Sequence, residues 1–424
     1  MKLSLFGRIA MALFASLALG LGMTACGGGT IGFMWVLGQQ YNQIAGFKID
    51  DFTGNLTQIP GAPFNSNGTN PVAIAVKPGG RYIFVLNQGA NGSTSTIGTG
   101  ASIAVYSVGG DGVLTYQQSY EPQGYVPEWL TIDSTGSYLY VLTKYSPSYV
   151  STSTSNPWSG PNTDGNGAIT VFSIDSNTGR LSLITNSGVQ LNSVNTPFFE
   201  VGGSPFMMKE ASNCLLTVNA STNTITEYSV ASAGQLTIGA SSPYQVTGGT
   251  FGTKITVSSI NAGGSYVYLT DSLNNQILQY TTGSNCNLTA ASGGGITNNA
   301  SNGNTNEPVW SLVDSTAKYL YILNEQTTPG TVTQPEGDIT AYTINTTNGE
   351  LQPITGSPYG VGSGPVCMVE DPSNQYMYIS NHNDGTVTGK LLDPTTGILS
   401  QLSRGSSFTA TGEATCLGVS GAVD

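Results

Sequence analysis

Three residues with acid–base or charged side chains follow short aromatic runs in a chain where charge is scarce. Lys144, Glu325 and His382 each come directly after such a run, and only 8% of residues are charged. Hydrolysis needs a general base and a group that stabilises the developing oxyanion. These residues are therefore the candidate catalytic groups. His382, the only histidine, needs a positioned partner to act as a base.

A second set consists of the polar residues that end the runs, and of two tryptophans at matching positions in the repeats. An amide or carboxylate at a strand end either binds nearby backbone or faces a ligand. The tryptophans could line a central channel or pack in the core. The predicted binding residues are Asn87, Trp129, Asp271, Trp310, Asn324 and Asn381.

Charge and motif content exclude several classes of function. The formal charge is −12 and no cluster of Lys and Arg exists, so the chain is not expected to bind nucleic acid. No phosphate-binding loop, Ser/His/Asp arrangement or zinc-ligand spacing occurs. The sequence therefore predicts neither a cofactor nor a metal site.

The runs belong to a repeated phrase, for example AKYLYILNEQ at 317–326 and GSYLYVLTKY at 136–145. Apolar residues alternate for about five positions, which is typical of a half-buried strand. The phrase begins seven times, at Phe33, Tyr82, Tyr138, Cys214, Tyr266, Tyr319 and Tyr376. A second phrase such as IAVYSV and a third such as GVLTYQ follow each time, and six copies have another short strand before the run.

Four strands in each unit of about 50 residues predict the blades of an all-β propeller. The first copy lacks its inner strand, and the last ten residues, TCLGVSGAVD, look like that strand with nothing after it. We therefore expect a seven-bladed β-propeller of four-stranded antiparallel blades over residues 32–424. The C-terminal strand is expected to pair beside 33–38 and close the ring, which removes an exposed edge.

The repeats resemble a known family. PVAIAVKPGGRYIFVLN followed by IAVYSVGGDGVLTY is similar to the lactonase family of seven-bladed propellers, related to bacterial 6-phosphogluconolactonase and fungal carboxymuconate-lactonizing enzymes. The resemblance covers about residues 31–424 and implies the fold. It also implies a lactone-hydrolysing activity in a basic cleft with His and Arg. The arginines after the N-terminal segment are Arg81, Arg180 and Arg404, and the first two fall in tight turns.

Strand order separates two rims. Turns between the first and second strands, and between the third and fourth, are short and form what we call the tight-turn rim. The opposite loop rim carries long connections, at 144–167, 88–100 and 325–337. Ligand contacts usually lie on loops held by a rigid scaffold, so the loop rim is the predicted working face. Neutral insertion is the alternative explanation of its length.

The N-terminus has the features of an export signal. Lys2 and Arg8 precede the apolar run IAMALFASLALGLG, and MTACGGG resembles the bacterial lipobox. We expect residues 1–25 to be a lipoprotein signal peptide, Cys26 to carry lipid and 26–31 to form a tether. An ordinary signal peptide is the alternative. The chain is thus predicted to be exported and anchored to the membrane of the cell envelope.

Four further cysteines permit two disulfides, with three possible connectivities. Their places in the repeats favour Cys367–Cys416, which would lock the ring closure, and Cys214–Cys286, near the tight-turn rim. Two functions remain open. One is a binding or scaffolding propeller for a glycan, peptide or envelope protein on the loop rim, and the other is a divergent lactonase-like hydrolase. Clustering of Lys144, Glu325 and His382 would favour the hydrolase.

Overall fold

The structure is a computed structural model that describes residues 29–90, 100–150, 157–162, 165–247, 255–298, 306–326 and 337–421. All regular elements in these ranges are β-strands. The predicted signal peptide and Cys26 lie outside the described residues, as does part of each long loop. No helix in the described ranges is long and apolar enough to cross a membrane.

The strands are numbered in chain order and fall into successive blades. The first blade contains β1 (Thr30–Gly38), β2 (Gln43–Asp50), β3 (Leu56–Gln58) and β4 (Phe64–Asn65). The second contains β5 (Pro71–Val76), β6 (Tyr82–Asn87), β7 (Ser102–Val108) and β8 (Leu114–Tyr120). The third contains β9 (Tyr125–Ile132), β10 (Tyr138–Tyr145), β11 (Pro147–Tyr149), β12 (Trp158–Pro161), β13 (Asn166–Ile174), β14 (Leu181–Ile184), β15 (Asn186–Leu191), β16 (Val194–Thr196) and β17 (Phe199–Gly203).

The fourth blade contains β18 (Pro205–Ala211), β19 (Cys214–Asn219), β20 (Thr224–Val230), β21 (Leu236–Ile238) and β22 (Tyr244–Gln245). The fifth contains β23 (Val257–Gly263), β24 (Tyr266–Asp271), β25 (Gln276–Thr282) and β26 (Leu288–Thr297). The sixth contains β27 (Asn306–Val313), β28 (Tyr319–Gln326), β29 (Gly337–Ile344), β30 (Leu351–Pro353) and β31 (Tyr359–Val361). The seventh contains β32 (Pro365–Glu370), β33 (Tyr376–Asn381), β34 (Thr386–Leu392), β35 (Leu399–Gln401) and β36 (Ser407–Thr409), and β37 (Ala414–Gly421) ends the chain.

These strands form seven antiparallel blades in a ring, which confirms the predicted fold. The C-terminal β37 pairs with β1, with Phe33 opposite Ser420 and Val36 opposite Leu417, so the last strand of the chain is the inner strand of blade 1. The predicted closure is therefore confirmed. Hydrophobic side chains of neighbouring blades interdigitate, and Trp35, Tyr140 and Tyr321 are among the fully buried ones.

Five blades differ from the expected four strands because a short fifth strand pairs beside the third strand. In blade 1, β3 pairs with Phe47–Ile49 of β2, and β4 pairs with the remaining Gln43–Ile44. A three-residue outer strand leaves half of that edge unpaired, and the returning chain covers it. In blades 2 and 5 the outer strands β8 and β26 are longer, and their sheets have four strands.

The repeated aromatic phrase supplies hydrogen bonds between neighbouring blades. A ring donor from the second strand reaches the carbonyl oxygen of a glycine in the turn between the third and fourth strands of the following blade, and we call this contact the interblade clasp. Four such bonds are Tyr268 to Gly349 at 2.9 Å, Tyr321 to Gly397 at 2.9 Å, Tyr378 to Gly54 at 2.7 Å and Trp35 to Gly112 at 3.2 Å. In these four blades the phrase therefore supplies both a buried strand and a donor to the neighbouring blade.

Blades 4 and 5 are joined covalently instead. Cys214 begins β19 where the other blades have an aromatic residue, and it forms a disulfide with Cys286, with the two Cα atoms 5.4 Å apart. Cys286 has φ of 64° and occupies the turn position that is glycine elsewhere. At the equivalent Gly234 an added Cβ would lie 2.7 Å from the ring of Tyr138. Blade 4 has Cys214 in place of this aromatic ring, so the turn of blade 5 has room for a side chain, and the two sulfurs occupy that space.

Candidate functional site

The central channel opens at the loop rim into a pocket of about 300 Å³. Inner strands begin at this rim, so their first residues form its wall. The second strands end there and supply His382, while the β1–β2 turn supplies Gln39. The lining residues are Gln39, Val72, Trp129, Trp310, Val366, Cys367, His382, Thr415 and Cys416. Its volume lies at the lower end of the range for small-molecule sites.

Two tryptophans close the channel beneath this pocket. Trp129 belongs to blade 3 and Trp310 to blade 6, and their ring centroids are 5.3 Å apart with the planes tilted by 49°. Blades 3 and 6 are not neighbours, so the rings meet across the axis. Both also pack against the cores between blades. The two roles considered from the sequence, lining the channel and packing, are thus combined in the same side chains.

Trp310 also presents a polar group. Its Nε1 is buried and has no hydrogen-bond partner among the described residues. Leaving a buried donor unpaired costs about 1–3 kcal/mol. Trp310 lines the pocket, but this nitrogen has almost no exposed surface there.

His382 has a defined orientation at the pocket wall. Its backbone N–H donates to Gly364 O at 2.7 Å, which anchors the residue after β33. Its Nδ1 lies 3.2 Å from the carbonyl oxygen of Ala414. A carbonyl oxygen only accepts, so Nδ1 carries the hydrogen and Nε2 of the neutral ring is left as the acceptor. This is the tautomer that a general base requires.

A chain of amides runs along the loop rim beside the pocket. Gln39 Nε2 donates to Asn70 Oδ1, Asn70 Nδ2 donates to Gln88 Oε1 at 2.9 Å, and Gln88 Nε2 donates to Pro127 O at 3.2 Å. The chain therefore connects blades 1, 2 and 3. These hydrogen bonds hold Gln39 at the pocket mouth, and they join residues that belong to different repeats.

The three predicted catalytic residues occupy different places. His382 lines the pocket, whereas Lys144 and Glu325 do not. Lys144 lies near Glu128 of β9: burial raises the pKa of the Glu128 carboxyl, and the charge of Lys144 opposes part of that rise. Glu325 of β28 lies opposite Glu307 of β27, as a cross-strand pair of like charges. The structure thus brings one of the three to the pocket.

The polar residues that end the runs are fully buried. Asn87, Asp271, Asn324 and Asn381 have no exposed surface. Asn381 Nδ2 donates to the hydroxyls of Thr386 and Thr388, and Asp271 accepts from the backbone N–H of Thr256 at 2.8 Å. Asn87 and Asn324 bond neighbouring strands and loops in the same way. These side chains fasten the loop rim to the sheets, and a binding role for them stays a prediction.

Several pocket residues were not singled out as ligand-binding from the sequence. Gln39 and Thr415 belong to no sequence motif, and only the three-dimensional structure shows that they line the pocket. The sequence predicts a disulfide between Cys367 and Cys416, whereas the structure has two buried free thiols there, with sulfurs 2.9 Å apart. The available signal was alignment of the inner strands, which puts Trp129, Trp310, Cys367 and Cys416 at the same position of four blades.

Among the residues that the structure describes, the pocket wall has no Arg, Lys, Asp or Glu. The described arginines lie elsewhere: Arg81 and Arg180 are in tight turns, and the carbonyl oxygen of Arg404 accepts a bond from Asn55 in another tight turn. Within the described ranges, no three His, Cys, Asp or Glu side chains group closely enough to hold a metal ion. The site can therefore offer an oriented imidazole and an aromatic surface to an uncharged molecule.

Solved structures with the same fold include enzymes and proteins without a stated activity. The crystal structure of the periplasmic gluconolactonase of Pseudomonas aeruginosa superposes with a TM-score of 0.65 at 16% identity, covering 93% of this chain and 100% of that one. A Bacteroides fragilis protein provisionally assigned as a 6-phosphogluconolactonase gives 0.63 at 16% identity, covering 92% and 98%. A Lactobacillus plantarum protein gives 0.67 at 15% identity, covering 92% and 100%. Identities this low establish a common fold only.

No curated protein matches the sequence. A family profile does match, and its description is lactonase, 7-bladed beta-propeller. It covers residues 30–194 and 279–413, which together exceed two thirds of the chain. The matched ranges contain all or part of every blade except the fourth. The chain belongs to the family of seven-bladed β-propeller lactonases.

Proposed function

We propose that the protein binds an uncharged sugar lactone in the central pocket and opens it by hydrolysis. The observation that supports this most directly is the pairing, in one pocket, of the His382 imidazole with the unpartnered Nε1–H of Trp310. The first can accept a proton from water, and the second would donate to an acyl oxygen once a turn of the indole ring exposes it to the pocket. Family membership and the lactonase assignments of two structural neighbours agree with this reaction.

The role of each group follows from its chemistry. The ring of the lactone would lie against the Trp129–Trp310 pair, which offers an aromatic surface at the pocket floor. Nε2 of His382 would take a proton from a water molecule as that water attacks the acyl carbon. The Trp310 N–H would stabilise the negative charge that develops on the acyl oxygen. Opening of the ring releases a hydroxy acid.

The charge of the pocket wall selects among lactones. A phosphorylated substrate would need Arg or Lys to pair with the phosphate. The described part of the wall contains neither, and Arg81, Arg180 and Arg404 lie outside it. We therefore propose a neutral aldonolactone in place of a 6-phosphogluconolactone.

The experiment compares hydrolysis of glucono-1,5-lactone and 6-phosphoglucono-1,5-lactone by pH-stat, above the spontaneous rate. We expect turnover of the neutral lactone only. His382→Gln should lower kcat about 10²–10⁴-fold through loss of the base. Trp310→Phe keeps the ring and removes the donor, and should lower kcat by about 10²-fold. Arg81→Gln, exposed on the tight-turn rim, serves as the unaffected control.

A binding protein without turnover is the second candidate, because Lys144 and Glu325 do not line the pocket with His382. It predicts that calorimetry detects a neutral sugar, or a glycan or peptide carrying one, while the lactone assay stays at the spontaneous rate. Binding weakened by Trp310→Phe with no hydrolysis at all would favour this candidate over the hydrolase.

We also propose that the protein is exported and held at the cell envelope by lipid on Cys26. Support comes only from the N-terminal sequence, since Cys26 lies outside the described residues. Cys26→Ala should move the chain from the membrane fraction to the soluble exported fraction. A variant that stays with the membrane would contradict the anchor.

A further inference from the structure

Two thiols meet where the ring closes. Cys367 belongs to β32 of blade 7, and Cys416 belongs to β37, the inner strand of blade 1. Their sulfur atoms are 2.9 Å apart, and the residues are 2% and 8% exposed. Because a disulfide bond is about 2.0 Å long, less than about 1 Å of sulfur movement separates the pair from a bond. We propose that Cys367 and Cys416 are a dithiol site that small disulfides oxidise reversibly through the central pocket.

The surroundings of the two sulfurs differ in a way that suits exchange. The two sulfurs share a hydrogen bond in which either thiol can be the donor, and this bond lowers the pKa of the Cys416 thiol. Burial raises the pKa of Cys367, whose sulfur also accepts the Leu417 N–H at 3.4 Å. Cys416 is also the more exposed of the two residues, so a small disulfide meets its sulfur first, and Cys367 is the resolving thiol.

The pocket supplies the route. Both cysteines line it, together with His382, Trp129 and Trp310, so a small disulfide reaches Cys416 from the loop rim without opening a blade. Cys214 and Cys286 lie on the opposite, tight-turn side and are already bonded to each other. The molecule thus contains one disulfide between blades 4 and 5, and one thiol pair between blades 7 and 1.

The exchange balances in two steps. The Cys416 thiolate attacks one sulfur of a small disulfide RSSR, which breaks the S–S bond, forms a mixed disulfide and releases a thiolate. Cys367 then loses its proton, attacks the Cys416 sulfur and releases the second thiolate. The two protons of the cysteines end on the two RSH products. The protein pair is oxidised by two electrons, and RSSR is reduced by two.

Oxidation would have a structural consequence. The bond would tie β37 to β32 and so fix the only strand of blade 1 that comes from the C-terminus. Constraining a loop of this length in the unfolded chain should raise Tm by roughly 5 °C. The bond would also replace two thiols in the pocket wall, next to the site proposed for the lactone.

The test uses the full-length chain carrying Cys26→Ser, which removes the fifth thiol. The protein is incubated with 2-hydroxyethyl disulfide, or with dithiothreitol under conditions that leave the buried Cys214–Cys286 bond intact. Free thiols are then counted in denaturant. We expect two thiols in the dithiothreitol sample and none after oxidation, a mass lower by two hydrogens, and a peptide pair that links Cys367 with Cys416. Thermal unfolding should show the higher Tm.

Single-thiol variants complete the experiment. In Cys367→Ser, Cys416 should stop at the mixed disulfide with one attached hydroxyethylthio group, whereas Cys416→Ser should leave Cys367 largely unreacted. Two free thiols after oxidation of the folded parent chain would overturn the proposal. So would stable mixed disulfides on the parent, since these would show that the second thiol cannot resolve the first.

Discussion

On the tight-turn rim, one kind of contact recurs from blade to blade, whereas the contacts at the mouth of the central pocket, on the loop rim, are not repeated among the described residues. The clasps from Tyr268, Tyr321 and Tyr378 all reach a glycine carbonyl in the next blade. The loop rim instead has the amide chain through Asn70 and the single imidazole of His382, and neither has a counterpart elsewhere in the repeats. The repeated rim builds the ring, and the irregular rim is free to carry a site.

The largest expected effect concerns the covalent contact of the tight-turn rim. Cys214→Ser together with Cys286→Ser removes a cross-link that closes a loop with a sequence separation of 72. We expect the free energy of unfolding to fall by about 3–4 kcal/mol, because the unfolded chain regains loop entropy. Chemical denaturation under non-reducing conditions measures it. A change below about 1 kcal/mol would mean that noncovalent packing between blades 4 and 5 suffices.

The second prediction tests the noncovalent clasp with a matched pair. Tyr321→Phe removes the donor to Gly397 O and leaves that buried carbonyl unpaired, which should cost about 1–2 kcal/mol. Tyr140 has the same position in blade 3, but its buried hydroxyl has no partner among the described residues. Tyr140→Phe should therefore be neutral or stabilising. Equal losses in the two variants would show that the hydrogen bond is not what the ring contributes.

The sequence predicts the tight-turn rim better than the pocket on the loop rim, because only a repeated contact leaves a repeated pattern in the sequence. The phrase starting at Tyr319 or Tyr376 specifies strand, burial and register at once, so the blades and the closing strand followed from pattern. His382 was found because histidine is unique in this chain. Gln39 and Thr415 could not be found, because their approach to Trp310 depends on how distant blades converge at the axis. The fifth strands were missed because two to five residues are too few to show a period.

Asn87, Asp271, Asn324 and Asn381 illustrate a second limit. Their spacing placed them correctly at the ends of the second strands, yet spacing does not show whether a side chain turns outwards or into the sheet. Their full burial follows from unpaired backbone and hydroxyl groups nearby, which the amides and the carboxylate bond. A polar residue at a strand end predicts position better than it predicts exposure.

The third prediction concerns a titrating contact of the tight-turn rim. Glu370 at the end of β32 accepts the Ser315 N–H of blade 6, and burial raises the pKa of its carboxyl to about 7. A carboxyl pKa raised on folding stabilises the protein at low pH, and that stability is lost as pH rises from about 4.5 to 7. Partial exposure reduces the effect through screening.

The measurement is the unfolding free energy of the parent chain and of Glu370→Gln between pH 4.5 and 8. The difference, parent minus variant, should fall as pH rises, because only the parent has to ionise a half-buried carboxyl. Asp393→Asn supplies the control, since hydrogen bonds from Thr395 and Thr396 lower the pKa of that exposed carboxyl. This carboxyl is ionised in both the folded and the unfolded chain across this range, so the difference for Asp393→Asn should stay nearly constant with pH. A difference for Glu370→Gln that rises with pH would contradict the assigned direction.

The smallest expected effect belongs to the loop rim. Glu325 and Glu307 are directly opposite each other on neighbouring strands, and like charges in that arrangement destabilise a sheet by roughly 0.2–1 kcal/mol. Glu325→Gln and Glu307→Gln should each raise the unfolding free energy by a few tenths of a kcal/mol at low ionic strength. The double variant should gain no more than either single one, because one substitution already removes the repulsion. Added salt should reduce the gain. If the two gains add fully, the two glutamates do not repel each other measurably, and the prediction is wrong.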